Sequence, residues 1–192
     1  IRALSQLAKP TDLKQVQKLA GCVAALSRFI SRLGEKALPL YRLLRRTDHF
    51  EWTDTTTVGL EEIKTLLASN PILAAPNAGK PILLYISATH QVVSAILVVE
   101  REQDGHKFPL QKPVYYVSTV LTPCKSRYPH YQKIAYTVFM ASRKLRHYFQ
   151  ECSITVASEV PLNDIINNSD ATGWIAKWAI ELLPFDTTYK PR

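Results

Sequence analysis

Two apolar runs, Pro81 to Ile86 and Val92 to Val99, are separated by a polar break that holds Ser87, Thr89, His90 and Gln91. Functional side chains often sit in such a break, because rigid strands fix it from both sides. Metal-dependent phosphodiester hydrolysis at this position would require clustered carboxylates, since two Mg²⁺ ions need several anionic oxygens to hold them against phosphate. No Asp or Glu occurs from Ile63 to Val99, and none from Gly105 to Gln150. The second stretch instead carries eight Lys/Arg together with His106, His130 and His147. Glu159 and Asp164 are the acids that follow the next apolar strand, Ser153 to Ala157. Two carboxylates alone do not build a two-metal site.

Other chemistries find no better support. The five histidines lack zinc-ligand spacing. Cys22, Cys124 and Cys152 contain no C-x-x-C pair and are odd in number, so ordinary thiols in a reducing compartment, cytoplasmic or nuclear, fit them best. There is no G-x-S-x-G elbow and no phosphate-binding glycine loop. By residue chemistry the chain is a non-catalytic module. Its basic residues are more suggestive. Lys14 and Lys18 are four apart, as are Arg28 and Arg32, and Arg143, Lys144 and Arg146 gather near the end of a long helical pattern. Such rows can meet phosphates without reading sequence. A solvated helix face is the competing account of the same spacing.

The totals agree with a polyanion partner. The chain has 192 residues, 46% of them hydrophobic, with a net charge of +8 and a pI near 9.4. The excess is spread evenly, with 11 Lys/Arg against 7 Asp/Glu in residues 1–78 and 13 against 9 in residues 79–192. No apolar run approaches the roughly 20 residues that span a bilayer, and no signal-peptide pattern opens the chain. The only methionine is Met140, so the chain reads as a piece of something longer.

The elements that must position these residues divide at about residue 78. Thr11 or Asp12 caps a first helix, whose apolar positions recur from Leu13 to Leu33 and which Gly34 ends. A second helix covers Lys36 to Arg46. A third follows Trp52-Thr53-Asp54 and is stopped by Asn70-Pro71. Ala74 to Pro81 is a linker by composition. Strands at Pro81–Ile86, Val92–Val99 and Pro113–Val120 follow, the last after a charged turn. Then come a long helix from Tyr128 to Phe149, a strand at Ser153–Ala157, a helical turn, a helix from Thr172 to Leu183 and a strand at Phe185–Tyr189. This order predicts an α/β domain with helices packed on a mixed sheet.

The first third resembles the thumb and connecting segment of reverse transcriptases from gypsy-type LTR retrotransposons. The residues that carry this likeness are Gly21, Arg28-Phe29-Ile30, Pro39-Leu40, Phe50-Glu51-Trp52, Ile63-Lys64 and Pro71-Ile72-Leu73, in that order. The rest is similar to the RNase H-like domain that follows in the same polyproteins, through "VYYVSTVLTPCKSRYPHYQKIAYTVFMASRKLRHYF" and the tail "WIAKWAIELLPFDTTYKPR". It is closest to the plant subgroup in which this domain has decayed. The resemblance implies helical thumb and connection elements over residues 1–78 and a C-terminally truncated RNase H-like domain over 79–192. Active members end the first strand in an Asp, where this chain has Ser87, and carry a Glu on the long helix, where it has Ile134. The Asp after the fourth strand aligns with Ser158, with Glu159 one residue off, and a fourth acid would lie beyond Arg192. The polymerase Tyr-x-Asp-Asp motif is absent.

The expected function is therefore structural. The segment would hold an RNA–DNA hybrid or DNA duplex weakly and without sequence preference, tether adjacent polymerase and downstream nuclease domains, touch no membrane and use no cofactor. The Mg²⁺ of the parent enzyme would act elsewhere. The alternatives are a working hybrid ribonuclease that uses relocated acids such as Glu159 and Asp164, or a decayed genomic copy with no protein role.

Overall fold

The computed structural model describes residues 9–45, 50–69, 72–76, 79–103, 105, 107–168, 170 and 172–192. The expected helix boundaries at Arg46 and at Asn70-Pro71, and Asp104 and His106 of the charged turn, lie outside those residues.

Helix α1 (Leu13–Ala25) starts where Asp12 accepts the Gln15 amide at 2.8 Å, while the Gln15 side chain accepts from the Thr11 amide at 3.1 Å. Two otherwise unpaired amides are thus satisfied reciprocally. The helix does not run on to Gly34. It stops at Ala25, a 3₁₀ turn follows at Ser27–Phe29, and Arg32 takes a left-handed φ of 52°. That conformation is costly for a residue with a Cβ. Here it redirects the chain into α2 (Leu33–Lys36), so Gly34 opens a helix instead of closing one. Helices α3 (Leu38–Arg45) and α4 (Asp54–Ala68) complete the group. Val16, Leu19, Val23, Ile30, Leu33, Leu40, Leu60, Ile63 and Leu67 form one buried cluster, with Phe50 and Trp52 packed on it.

The sheet has five strands in the order β3-β2-β1-β4-β5. They are β1 (Ile82–Ala88), β2 (Val92–Arg101), β3 (Leu110–Val120), β4 (Ile154–Ser158) and β5 (Thr187–Pro191). β1–β2 and β2–β3 are antiparallel, and β1–β4 and β4–β5 are parallel, so the sheet is mixed as expected. β3 begins three residues before the sequence pattern suggests, and β5 lies two residues further on. Between β3 and β4 lie α5 (Pro123–Ser126), α6 (His130–Lys144) and α7 (Arg146–Glu151). The predicted single long helix is broken at Leu145, whose backbone leaves the helical region. After β4 come α8 (Leu162–Ile166) and α9 (Gly173–Leu182). Helices α6 and α9 pack together through Trp178 against Tyr136 and Phe139. Ile134, Val138, Ala141 and Leu145 share a second buried cluster with Ile82, Leu84, Ile86, Ala95, Leu97, Ile154 and Val156.

The helical group meets the sheet by close backbone approach. The Gly34 amide donates to Ser118 Oγ at 2.9 Å, and a Cβ at Gly34 would lie 2.7 Å from that oxygen and from Val92 Cγ1. Within the group, a Cβ at Gly59 would lie 2.3 Å from the Lys36 carbonyl oxygen, so α4 packs directly on the α2 backbone. Gly21, by contrast, faces open space. Gly59→Ala is expected to destabilise the fold by about 1–3 kcal/mol through overpacking, whereas Gly21→Ala, mid-helix and unobstructed, is expected to stabilise it by up to about 1 kcal/mol. Urea denaturation of the two variants beside the parent chain checks both signs.

Candidate functional site

The C-terminal ends of β1 and β4 lie side by side. Their parallel register runs from Ile82↔Ile154 to Tyr85↔Ala157, which brings Ser87 and Ser158 to the same end of the sheet. Side chains alternate between faces along a strand. Ile82, Leu84 and Ile86 therefore point into the α6 core, and Tyr85 and Ser87 point to the opposite face. Ser87 is half-buried and registers with Ser94, whose Oγ lies 3.0 Å from Ser118 Oγ. Ser158 is buried, its Oγ accepts from the Val160 amide at 3.1 Å, and its carbonyl accepts from the Arg192 amide at 2.9 Å. Ile134 is 1% exposed in the helix–sheet core. The three positions thus share one end of the sheet, with Ser87 and Ile134 on opposite faces.

The polar groups around them are already committed. Lys133 is 6% exposed and donates from Nζ to the His90 carbonyl at 3.2 Å, tying α6 to the β1–β2 turn. Glu159 pairs with His130 at 2.8 Å across the surface. Asp164 is exposed on α8. No group of three or more His, Cys, Asp or Glu that could hold a metal ion occurs among the described residues. Two serine hydroxyls and an isoleucine offer no anionic oxygen, and one of those hydroxyls is engaged by an amide. This donor set does not fit Mg²⁺.

The basic residues sort differently from their sequence spacing. Lys14 and Lys18 lie one turn apart and exposed on α1, as expected. Arg28 and Arg32 do not form a second row on that helix, because the helix ends before them. Arg28 lies 4.7 Å over the Phe29 ring in the 3₁₀ turn, and Arg32 pairs with Glu35. Arg143 is bound to Glu181 at 3.0 Å and stacks 4.9 Å from the Phe139 ring. Lys144 donates to Thr119 Oγ1 at 2.7 Å. Much of its side chain is exposed, but the ammonium end is turned in, and that burial lowers its pKa. Arg146 follows the break at Leu145 and is exposed. Among the described residues, Lys14, Lys18, Arg28 and Arg146 make no ion pair.

A set of residues that sequence reasoning missed lies on the sheet face away from α6. The registers Tyr116↔Ile96, Ile96↔Tyr85, Tyr85↔Ala157 and Ala157↔Lys190 place these five residues in one row across all five strands. None of the five belongs to the buried cluster under α6, although Ala157 is itself buried. Only the pairing shows that the two tyrosines and the lysine share a line.

Residues 52–156, more than half of the chain, match the family described as the RNase H-like domain found in reverse transcriptase. Among curated proteins, the Tf2-3 and Tf2-4 transposon polyproteins of Schizosaccharomyces pombe are each 26% identical over 193 aligned residues, covering 97% of this chain. The chain spans only 14% of the length of those polyproteins. Among solved structures, the foamy viral protease-reverse transcriptase in complex with dsDNA matches with a TM-score of 0.74 and 21% identity, over 100% of this chain and 40% of that one. The same viral protein in complex with an RNA/DNA hybrid matches at 0.76 and 20% identity, over 100% of this chain and 26% of that one. These likenesses establish the α/β fold with its mixed sheet.

Because Ile134 sits where no counter-charge is available, Ile134→Glu is expected to destabilise the fold by about 3 kcal/mol or more, as for an unpaired buried charge after relaxation. Ile134→Leu, which keeps volume and polarity, is expected to cost less than about 1.5 kcal/mol. Chemical denaturation of both variants checks the difference. Equal midpoints for the two would remove Ile134 from the core.

Proposed function

The chain belongs to the RNase H-like domains found in reverse transcriptase, and from that premise we propose that it is a non-catalytic, duplex-holding segment of a longer LTR-retrotransposon polyprotein. The proposal includes the gypsy type and its plant subgroup, with thumb and connection helices over residues 1–78 and the RNase H-like domain over 79–192. Two separate buried clusters, one drawn from residues 16–67 and the other from 82–182, support that boundary. The family match itself begins at Trp52, within the helical third.

The observation that carries the non-catalytic reading is the state of the three carboxylate positions. Ile134 fills apolar space and Ser158 caps a turn, so restoring a metal ligand at either would disturb packing as well as chemistry. The foamy viral relatives are described in complex with dsDNA and with RNA/DNA hybrid. Together with the +8 charge, they support a duplex as the partner of this chain. Lys14 and Lys18 are its best-placed phosphate contacts on the helical side, and Arg146 on the other. In the parent polyprotein this segment would connect polymerase and nuclease parts, and Mg²⁺ chemistry would reside in those.

Two outcomes are expected. The purified chain does not cut the RNA strand of a hybrid in Mg²⁺ or Mn²⁺; cleavage that co-purifies with the chain and disappears in Glu159→Gln would overturn the non-catalytic reading. The chain binds a labelled hybrid with an affinity that falls with salt and does not depend on sequence. Replacing Lys14 and Lys18 by Ala should flatten the log–log salt slope by about one to two. An unchanged slope would leave α1 as a solvated face only.

A further inference from the structure

The open face of the sheet carries an aromatic row with cations at one end. Tyr85 and Tyr116 lie two strands apart, about 10 Å at ordinary strand spacing, with Ile96 between them. All three are half-buried, and none belongs to the α6 core. The Tyr85 ring is held by the Gln111 side chain, which donates from Nε2 to its hydroxyl at 2.9 Å and to Glu100 at 3.2 Å. Ala157, the next residue of the row, is small, and Lys190 ends the row on β5. Arg192 returns over the Tyr85 ring at 5.9 Å. Ser31, Arg32, Ser87 and Ser94 wall the same cleft where the helical group rises from the sheet. Neither Lys190 nor Arg192 makes an ion pair among the described residues, whereas Arg32 is engaged by Glu35.

We propose that this cleft binds an unpaired nucleic-acid strand, with bases stacked on Tyr85 and Tyr116 and backbone phosphates held by Lys190 and Arg192. The proposal rests on the reading that the chain contacts nucleic acid, and it assigns a second surface with a different substrate form. Aromatic side chains on an open sheet face can stack two or three unpaired bases, and stacking tolerates any base because each has a π-face. A duplex offers no free base face in its interior. The platform therefore selects single strands, and the exposed helix α1 carries the contact to duplex. Charge complementarity favours an anionic occupant over an apolar peptide, because the free groups at the Lys190 end of the row are both cations.

The test measures fluorescence anisotropy of a short labelled oligothymidylate, an abasic strand of the same length and charge, and a hybrid duplex. Oligothymidylate should bind about ten-fold or more tighter than the abasic strand, the scale of one lost base–aromatic stack. Tyr85→Leu and Tyr116→Leu keep apolar volume; each should weaken oligothymidylate by about ten-fold and leave the abasic strand and the duplex unchanged. Lys190→Ala should weaken both single strands and reduce their salt slope. Equal affinity for the two single strands, or wild-type binding of oligothymidylate by folded tyrosine variants, would overturn the platform. If the variants lose their circular dichroism signal, photo-crosslinking of 5-iodouracil strands to the unmodified chain decides. Adducts on the Tyr85 or Tyr116 peptide support the cleft, and adducts confined elsewhere overturn it. Base-dependent single-strand binding without duplex binding would sink the duplex reading and leave this one standing. Salt-sensitive duplex binding with no preference between the single strands does the reverse.

Discussion

A charge placed between α6 and the sheet would have nothing to answer it, and this constraint organises the domain. The space holds Ile134, Val138 and Ala141 against Leu84, Ile86 and Val156, all at or below 6% exposure. A carboxylate there loses several kcal/mol of hydration and needs a metal or a hydrogen-bonded cation to recover it. The ammonium of the adjacent Lys133 turns to the His90 carbonyl instead. With that ammonium drawn to the β1–β2 turn, the end of the sheet is closed by packing and backbone hydrogen bonds. Apolar filling therefore secures the fold at the same place where Ile134 presents no anionic oxygen.

The same economy of space governs how the helical group joins the sheet. Gly34 meets Ser118 with no room for a side chain, and Ser118 in turn meets Ser94. Small hydroxyls fill the gap between the α2 backbone and the sheet, and every buried polar side-chain atom among the described residues finds a partner. The contact extends beyond this serine corner, because the 3₁₀ turn packs on β3 and Arg42 donates to Gln91 Oε1 at 2.8 Å. The cleft beside Tyr85 and Tyr116 lies where the helical group, at Ser31 and Arg32, rises from the half-buried middle of the sheet face.

Much of this architecture was legible in the sequence. The Asp12 cap, the α4 start, the order of strands and helices, and the apolar line Ile134, Val138, Ala141 and Leu145 all follow from local chemistry and period. The break after Ala25 was not legible. Leu26, Ile30 and Leu33 keep a helical spacing through it, and all three are buried or half-buried in the helical group. The pattern records burial and cannot tell whether one helix or a turn and a second helix delivers it. The 3₁₀ turn that follows Ala25 packs on β3 and Gly34 meets Ser118, contacts that are remote in sequence. Arg28 and Arg32 were grouped for the same reason, but Arg28 lies in the 3₁₀ turn and Arg32 is itself the left-handed residue that opens the next helix. The break at Leu145 was hidden likewise, since the last apolar residues continue into the same core.

The tyrosine row shows a different limit. Tyr85, Ile96 and Tyr116 each alternate with core residues, so their strands identify them as outward-facing. Their alignment depends on register, and β2–β3 pairing carries an irregularity between Leu97 and Val98 that shifts partners beyond Ile96. A one-residue slip before that point would move Tyr116 to the other face. Ser94 and Ser118 oppose each other on the side of Ile96 away from that irregularity, and their hydrogen bond holds the pairing there. The Gly34 amide reinforces it from above. The serine corner that docks the helices therefore also fixes the register that brings two aromatic rings into one row. Catalytic carboxylates can be lost from the strand ends without touching that register, because Ser87 continues the hydroxyl row and Ser158 caps its own turn. The register that builds this sheet face is thus independent of which side chains stand at the two strand ends.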